Sequence, residues 1–150
     1  MTNDEAEDEI LATFLTAWTA AGAAATPPTT YPVDYEDVPL GAAMKVAIDS
    51  GSVPWARVRI KPNKRFQATL AGTLGRRFDE HGILFIELYT PSGDGLTLAR
   101  FLSTLVRNAF EGVSTPNGVW FRDVVATRVG PDGHWFHYNV TASYQFDEVR

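Results

Sequence analysis

The chain has 150 residues, 45% of them hydrophobic, with four Trp, five Tyr and nine Phe. That payload of large apolar groups fits one domain with an unstapled core and is foreign to a disordered chain. No cysteine is present, which removes disulfides, thiolate metal sites and a cysteine nucleophile together and fits a reducing compartment. A net charge of −5 argues against general affinity for nucleic acid, although seven of the 13 basic residues crowd between Arg57 and Arg77.

The opening Met1-Thr2-Asn3-Asp4-Glu5 is acidic, the wrong sign for a signal or transit peptide, and no apolar run approaches the ~20 residues that span a bilayer. No membrane association is expected. From about Asp4 to Ala21 the spacing of Ile10, Leu11, Phe14, Leu15 and Trp18 predicts a helix with one buried side. Thr2 or Asn3 is the N-cap candidate, and the acids that follow complement the helix dipole. Gly22 and Ala23 end the helix, and Pro27 and Pro28 bar its continuation.

A short edge strand is expected near Tyr31–Tyr35. Leu40 to Ile48 fits a helical turn or a strand, and its periodicity does not decide. From Trp55, Val58 and Ile60 alternate with Arg57, Arg59 and Lys61 as in a strand, and Pro62-Asn63 is expected to break it. A second extended stretch follows over 66–74. Ile83–Tyr89, apolar at successive positions, reads as a central strand. The turn Thr90-Pro91-Ser92-Gly93-Asp94-Gly95 leads into a helix ending near Phe110 or Glu111, with Asp94 as its cap, Leu98, Leu102, Leu105, Val106 and Ala109 on its buried side, and Gly112 as its stop. Last come two strands, 120–129 and 134–146, flanking a Gly130-Pro131-Asp132-Gly133 turn. The order predicts a single α+β domain: a mainly antiparallel sheet, two helices packed on one face, and a long C-terminal β-hairpin.

The chemical constellations are weak. Gly93-Asp94-Gly95 lacks the third glycine of a dinucleotide fingerprint and the Lys-Ser/Thr of a P-loop, and Asp94 would repel phosphate. Asp79, Glu80 and His81 are consecutive, so in an extended segment they alternate between faces. His134 and His137 would also point to opposite faces of a strand, with His137 exposed or at an interface beside Asn139 and Thr141. No catalytic, metal or cofactor residue is assigned, and the chain reads as a structural part, not an enzyme. The basic residues Arg57, Arg59, Lys61, Lys64, Arg65, Arg76 and Arg77 fit a solvated strand face, a dock for an acidic protein surface (the acidic first helix of a neighbouring copy included), or nucleic-acid contact.

The run Gly82–Gly95, with its strand ending in Tyr-Thr-Pro before a glycine-rich turn and helix, resembles the tail-terminator proteins of long-tailed phages. So do the closing hairpin around Gly130–Phe136, the exit Tyr144-Gln145-Phe146-Asp147-Glu148, and an N-terminal helix followed by Pro32-Val33. The stretch Lys61–Glu80 is longer than that pattern needs and reads as an inserted hairpin or mobile loop. The resemblance implies a structural protein of a phage, prophage or gene-transfer particle, assembled in the host cytoplasm and lodged at the tail–neck region of the virion. It implies a homo-oligomeric, hexameric ring that caps the tail tube, stops its polymerisation and offers a head–tail joining surface. Partners would be the major tail-tube protein and connector or neck proteins, with DNA passing through the ring without specific binding and no cofactor. Partner contacts are expected at the basic segment and at the hairpin tip, Pro131, Asp132 and His134. Another neck or head–tail joining protein, or a small-molecule-binding or enzymatic α+β domain using the Gly93–Gly95 turn, are the alternatives.

Overall fold

The computed structural model describes residues 1–69, 75–93 and 95–150. Its elements are α1 (Asn3–Ala23), β1 (Val33–Tyr35), α2 (Ala42–Asp49), β2 (Trp55–Gln67), β3 (Arg77–Pro91), α3 (Thr97–Phe110), β4 (Trp120–Asp132) and β5 (Trp135–Val149). The five strands form one sheet in the order β1-β2-β3-β5-β4, with β1 parallel to β2 and every other pair antiparallel. The fold is the α+β arrangement expected, with the C-terminal hairpin β4–β5 in place. Among the described residues no helix is long and apolar enough to cross a membrane.

The alternation of each strand decides which side the helices cover. Leu84, Ile86 and Leu88 of β3 pair with Ala142, Val140 and Tyr138 of β5 on one side and Ile60, Val58 and Ala56 of β2 on the other. These side chains share one face because residues two apart in a strand point the same way. Ile10, Phe14 and Trp18 of α1 and Ala99, Leu102, Val106 and Phe110 of α3 bury themselves against that face. Burying each large apolar side chain is worth ~1.5–3 kcal/mol, so these two stripes dominate what holds the helices down. Trp18 is fixed further: it stacks on Phe14 at 5.7 Å and donates its indole N–H to the Tyr31 carbonyl at 3.1 Å. That bond ties the chain returning after α1 to the helix.

The α1 N-terminus carries a full capping box, with Thr2 and Glu5 each accepting from the other's backbone N–H. Gly22 lies inside the last turn of α1 rather than ending it; the Thr29 carbonyl lies where a Cβ would sit, so the returning chain needs a glycine there. The undecided segment is the helix α2, which buries no residue. Pro62-Asn63 does not break β2. The strand runs on through a bulge between Pro62 and Lys64, because beyond Val58 it has no paired strand on the β1 side among the described residues, and an open side tolerates proline. Lys61–Gln67 and Arg77–Glu80 are therefore the outer halves of one long β2–β3 hairpin, continuous with the central sheet.

The β4–β5 turn comes later than expected. Gly130, Pro131 and Asp132 belong to β4, Asp132 pairs with Trp135, and the loop is Gly133-His134. Gly133, at φ 59°, takes the first of the two loop positions, where a tight hairpin demands a positive φ. The helix α3 begins at Thr97, after Leu96 as N-cap without a side-chain cap bond. The expected cap Asp94 and the 70–74 part of the expected second strand lie outside the described residues.

One packing constraint was hidden in the sequence. Gly82 in β3 faces Tyr144 in β5, and a Cβ at Gly82 would fall inside the Tyr144 ring. The ring lies flat over the bare backbone, and burial pushes its hydroxyl pKa up to about 12. Gly82→Ala is expected to destabilise the fold by about 1–3 kcal/mol, the usual cost of overpacking. Truncating Tyr144 to alanine in the same chain should cost less there than in the wild type. Urea midpoints of the four chains of that cycle measure it, and additive losses would contradict the contact.

Candidate functional site

Both long helices pack on one side, so the opposite face of the sheet is open and carries Asp34, Arg57, Arg59, Lys61, Glu87 and Asn139, while Arg65, Glu80 and Glu148 lie on the helix side. The basic segment lies on this face and along the β2–β3 hairpin, and the structure divides it. The Arg57 Nε donates to Asp34 Oδ2 at 2.8 Å across the β1–β2 pair, and its Nη1 lies 3.5 Å from Glu87. The Asp34 hydrogen bond holds the Arg57 guanidinium above its ordinary pKa. Arg65 bridges Glu80 at 2.7 Å and Glu148 at 2.6 Å, and Arg77 pairs with Asp147 of β5.

The other four are different. Among the described residues, Arg59, Lys61, Lys64 and Arg76 form no salt bridge. Arg59, Lys61 and Lys64 are exposed on β2, with the Lys61 ammonium 5.7 Å from the centre of the Phe85 ring. Arg76 is held through its backbone, which exchanges hydrogen bonds with Arg150. The segment is thus half internal ion-pair network and half free cation. Apart from Arg76, its exposed, unneutralised part lies on the stretch of β2 that pairs with β3 alone among the described residues.

The hairpin-tip residues fall in one place. Pro131 and Asp132 close β4, and His134 lines a cleft of about 700 Å³ with Ile48, Asp49, Ser50, Ser92 and Trp135. His134 sits in the loop, so strand alternation does not govern its direction.

Sequence reasoning missed the most ordered feature of the open face. Trp55, Tyr89 and His137 stand opposite one another on β2, β3 and β5, and their rings stack in a row at 4.2 and 4.5 Å. Trp135 meets Trp55 edge-on at 6.0 Å. His137, expected at the surface or an interface, is buried, since the rings beside it remove it from water. Its Nε2 lies 4.0 Å from Glu87 Oε1. Four enclosed polar atoms gather on these two rows without a hydrogen-bond partner among the described residues: Trp55 Nε1, Glu87 Oε2, His137 Nε2 and Asn139 Oδ1. The parity of each residue in its strand was readable, but the register that brings three rings into line was not.

The arrangement suits holding a surface rigid. His137 is buried and stacked on Tyr89. Among the described residues no group of three or more His, Asp or Glu side chains could hold a metal ion, and Asp79, Glu80 and His81 alternate as expected, with Glu80 engaged by Arg65.

No family model matches the chain, and no curated protein does. A solved structure of a protein without a descriptive name is 17% identical, covers 93% of this chain and 94% of its own, and has a TM-score of 0.57. A chain from the virion of a native gene transfer agent particle is also 17% identical, over 77% of this chain and 78% of its own, with a TM-score of 0.38. The first is a likeness of fold.

Glu148 yields a pH test. Its carboxylate is held below the usual range, first by the Arg150 hydrogen bond at 2.8 Å, with Arg150 and Arg65 adding their charge. A depressed folded pKa contributes stability that is complete above the ordinary value of 4.5 and fades as pH falls through the folded value. Glu148→Gln should therefore be less stable than wild type at neutral pH, with the gap closing as pH drops below 4.5. Thermal melts across that range check it; a gap independent of pH would mean the carboxylate's charge is not what matters.

Proposed function

We propose that this chain is a structural virion protein of a tailed phage or phage-like gene-transfer particle, and within it the tail terminator. In this reading it forms a hexameric ring on the finished tail tube, blocks further tube subunits, and presents the surface to which the head connector joins. It would be assembled in the host cytoplasm and sit at the tail–neck junction, with DNA passing through the ring ungripped and with no catalytic step.

One observation carries the reading. The sequence run that resembles the terminator family, Gly82–Gly95, forms the central strand β3 up to Pro91, and α3 follows four residues after Ser92-Gly93. The closing hairpin that shares the resemblance is the strand pair beside it. The resembling motifs thus form one contiguous scaffold. Its surroundings suit assembly: one sheet face is covered by helices, the opposite face and both edges point outward, and free cations line the exposed hairpin. A terminator needs two unlike surfaces, one that accepts the tube and one that refuses another tube subunit, and a one-sided sheet supplies unlike surfaces by construction.

Adding the purified chain to polymerising cognate tail-tube subunits tests this. A terminator arrests growth and leaves one ring at a tube end in electron micrographs. A neck or joining protein leaves tube growth unchanged and binds connector rings, and a small-molecule-binding domain does neither. Unchanged tube lengths at saturating protein would end the terminator reading. Replacing Arg59, Lys61 and Lys64 together by glutamate should weaken capping by roughly tenfold or more if these cations face a partner, while leaving the melting temperature near wild type.

A further inference from the structure

The sheet has two open edges, and they lie at opposite ends of the strand order. On one side β1 covers only Ala56, Arg57 and Val58 of β2, so among the described residues the stretch 59–67 has no paired strand there. On the other, β4 pairs with β5, and among the described residues only Trp120 at its start has a second partner, an isolated bridge to Ser114. We propose that the open edge of β4 in one copy docks on the open edge of β2 in the next, making a head-to-tail contact between copies of this chain. The inference rests on the ring reading for its stoichiometry and on the sheet for its geometry.

Strand direction favours it. Because β2–β3, β3–β5 and β5–β4 are each antiparallel, β4 runs antiparallel to β2. A neighbour rotated about an axis along the strands keeps every direction and keeps its helices on the same side. Its β4 then meets β2 antiparallel, the stronger pairing. A contact between two different edges is heterologous, so repetition closes a ring when the rotation allows.

The side chains at the seam complement each other. Beside β2 on the helix side lies an apolar groove of about 580 Å³, floored by Leu11, Leu15, Val58 and Ile60. Its rim carries Glu7, Asp8 and Glu36, none of which has a salt bridge among the described residues. On the helix side of β4 stand Ala126 and Arg128, in register with Val140 and Tyr138. Arg128 is exposed, bonds only the Tyr138 hydroxyl at 3.1 Å, and meets no carboxylate among the described residues. Docking brings its guanidinium to the acidic rim and Ala126 to the groove. Asp123 and Asp132, the acids of β4, stand away from this window, one between the paired residues of the first bulge and one at the hairpin tip.

The seam is short by design. Bulges at Arg122/Val125 and Arg128/Gly130 bracket four regular residues of β4, and the Pro62/Lys64 bulge limits β2 to Arg59–Lys61. Bulges protect edges from indiscriminate pairing, so this contact is weak between free copies and accumulates when a tube end gathers them.

The absence of cysteine makes the test clean. Thr127 and Arg59 are both exposed on the face away from the helices. Chains carrying Thr127→Cys are mixed with chains carrying Arg59→Cys or Lys61→Cys and oxidised, with Thr104→Cys on α3 as the control partner. Docking raises the local thiol concentration, so mixed disulfide dimers should form roughly tenfold faster than with the control, and a chain carrying both substitutions should yield closed covalent hexamers. Disulfides between two Thr127→Cys chains at equal rate, or mixed dimers no faster than control both free and on tubes, overturn the seam. Tube arrest without the mixed disulfide sinks the seam and keeps the terminator; covalent rings that leave tube growth unchanged sink the terminator and keep the seam.

Discussion

Coverage of the sheet on one side only is the constraint from which the other features follow. The stripes of α1 and α3 meet the alternating residues Ala56, Val58, Leu84, Ile86, Leu88, Tyr138, Val140 and Ala142 and cover the centre of the apolar face, leaving a groove at its β2 margin. The polar face receives no helix layer. It must satisfy itself within the sheet, and it does so by pairing laterally across strands instead of vertically against another layer. Arg57 with Asp34, Arg77 with Asp147, and the row Trp55–Tyr89–His137 are all links of this lateral kind, and Arg65 joins Glu80 and Glu148 in the same way on the helix side of the sheet.

Lateral pairing reaches only as far as there are strands. The two inner strands, β3 and β5, bond along their whole length on both sides or nearly so, whereas among the described residues β2 past Val58 and β4 past Trp120 have no second paired neighbour. There Arg59, Lys61 and Lys64 form no salt bridge among the described residues, one side of the backbone has no paired strand, and the chain blunts those edges with lysines, prolines and bulges. Stability thus concentrates in the centre, and capacity for contact concentrates at the margins. That division is what the proposed structural role would call for.

The fold was readable because its period signals are strong. Helical spacing of Ile10, Phe14 and Trp18, and strict alternation from Phe136 to Phe146, leave little choice of element or of buried side. Breaks were read less well, for a physical reason: Pro62 and Pro131 end a strand only where a ladder needs the missing N–H, and Pro62 lies on β2 past its pairing with β1 while Pro131 lies on the edge strand β4. Edge position belongs to the sheet and is invisible in a local window. The same holds for the open face. Trp55, Tyr89 and His137 are 34 and 48 residues apart along the chain, and only the β2–β3–β5 register aligns them. Gly82 looked like the start of a strand, whereas it is the space that Tyr144 occupies. The basic cluster was visible as charge, but which cations are free depends on carboxylates from β1, β3 and β5.

Amide hydrogen exchange on the free chain tests the one-sided, open-edged sheet most directly. Amides of Leu84–Leu88 in β3 and Tyr138–Ala142 in β5 should exchange only through global unfolding. Alternate amides of β4 and of β2 beyond Val58, those aimed at the open edges, should exchange orders of magnitude faster. Equal protection of β2, β4 and the central pair in the free chain would mean that another layer or strand covers those edges, and the division between a closed centre and open margins would be wrong.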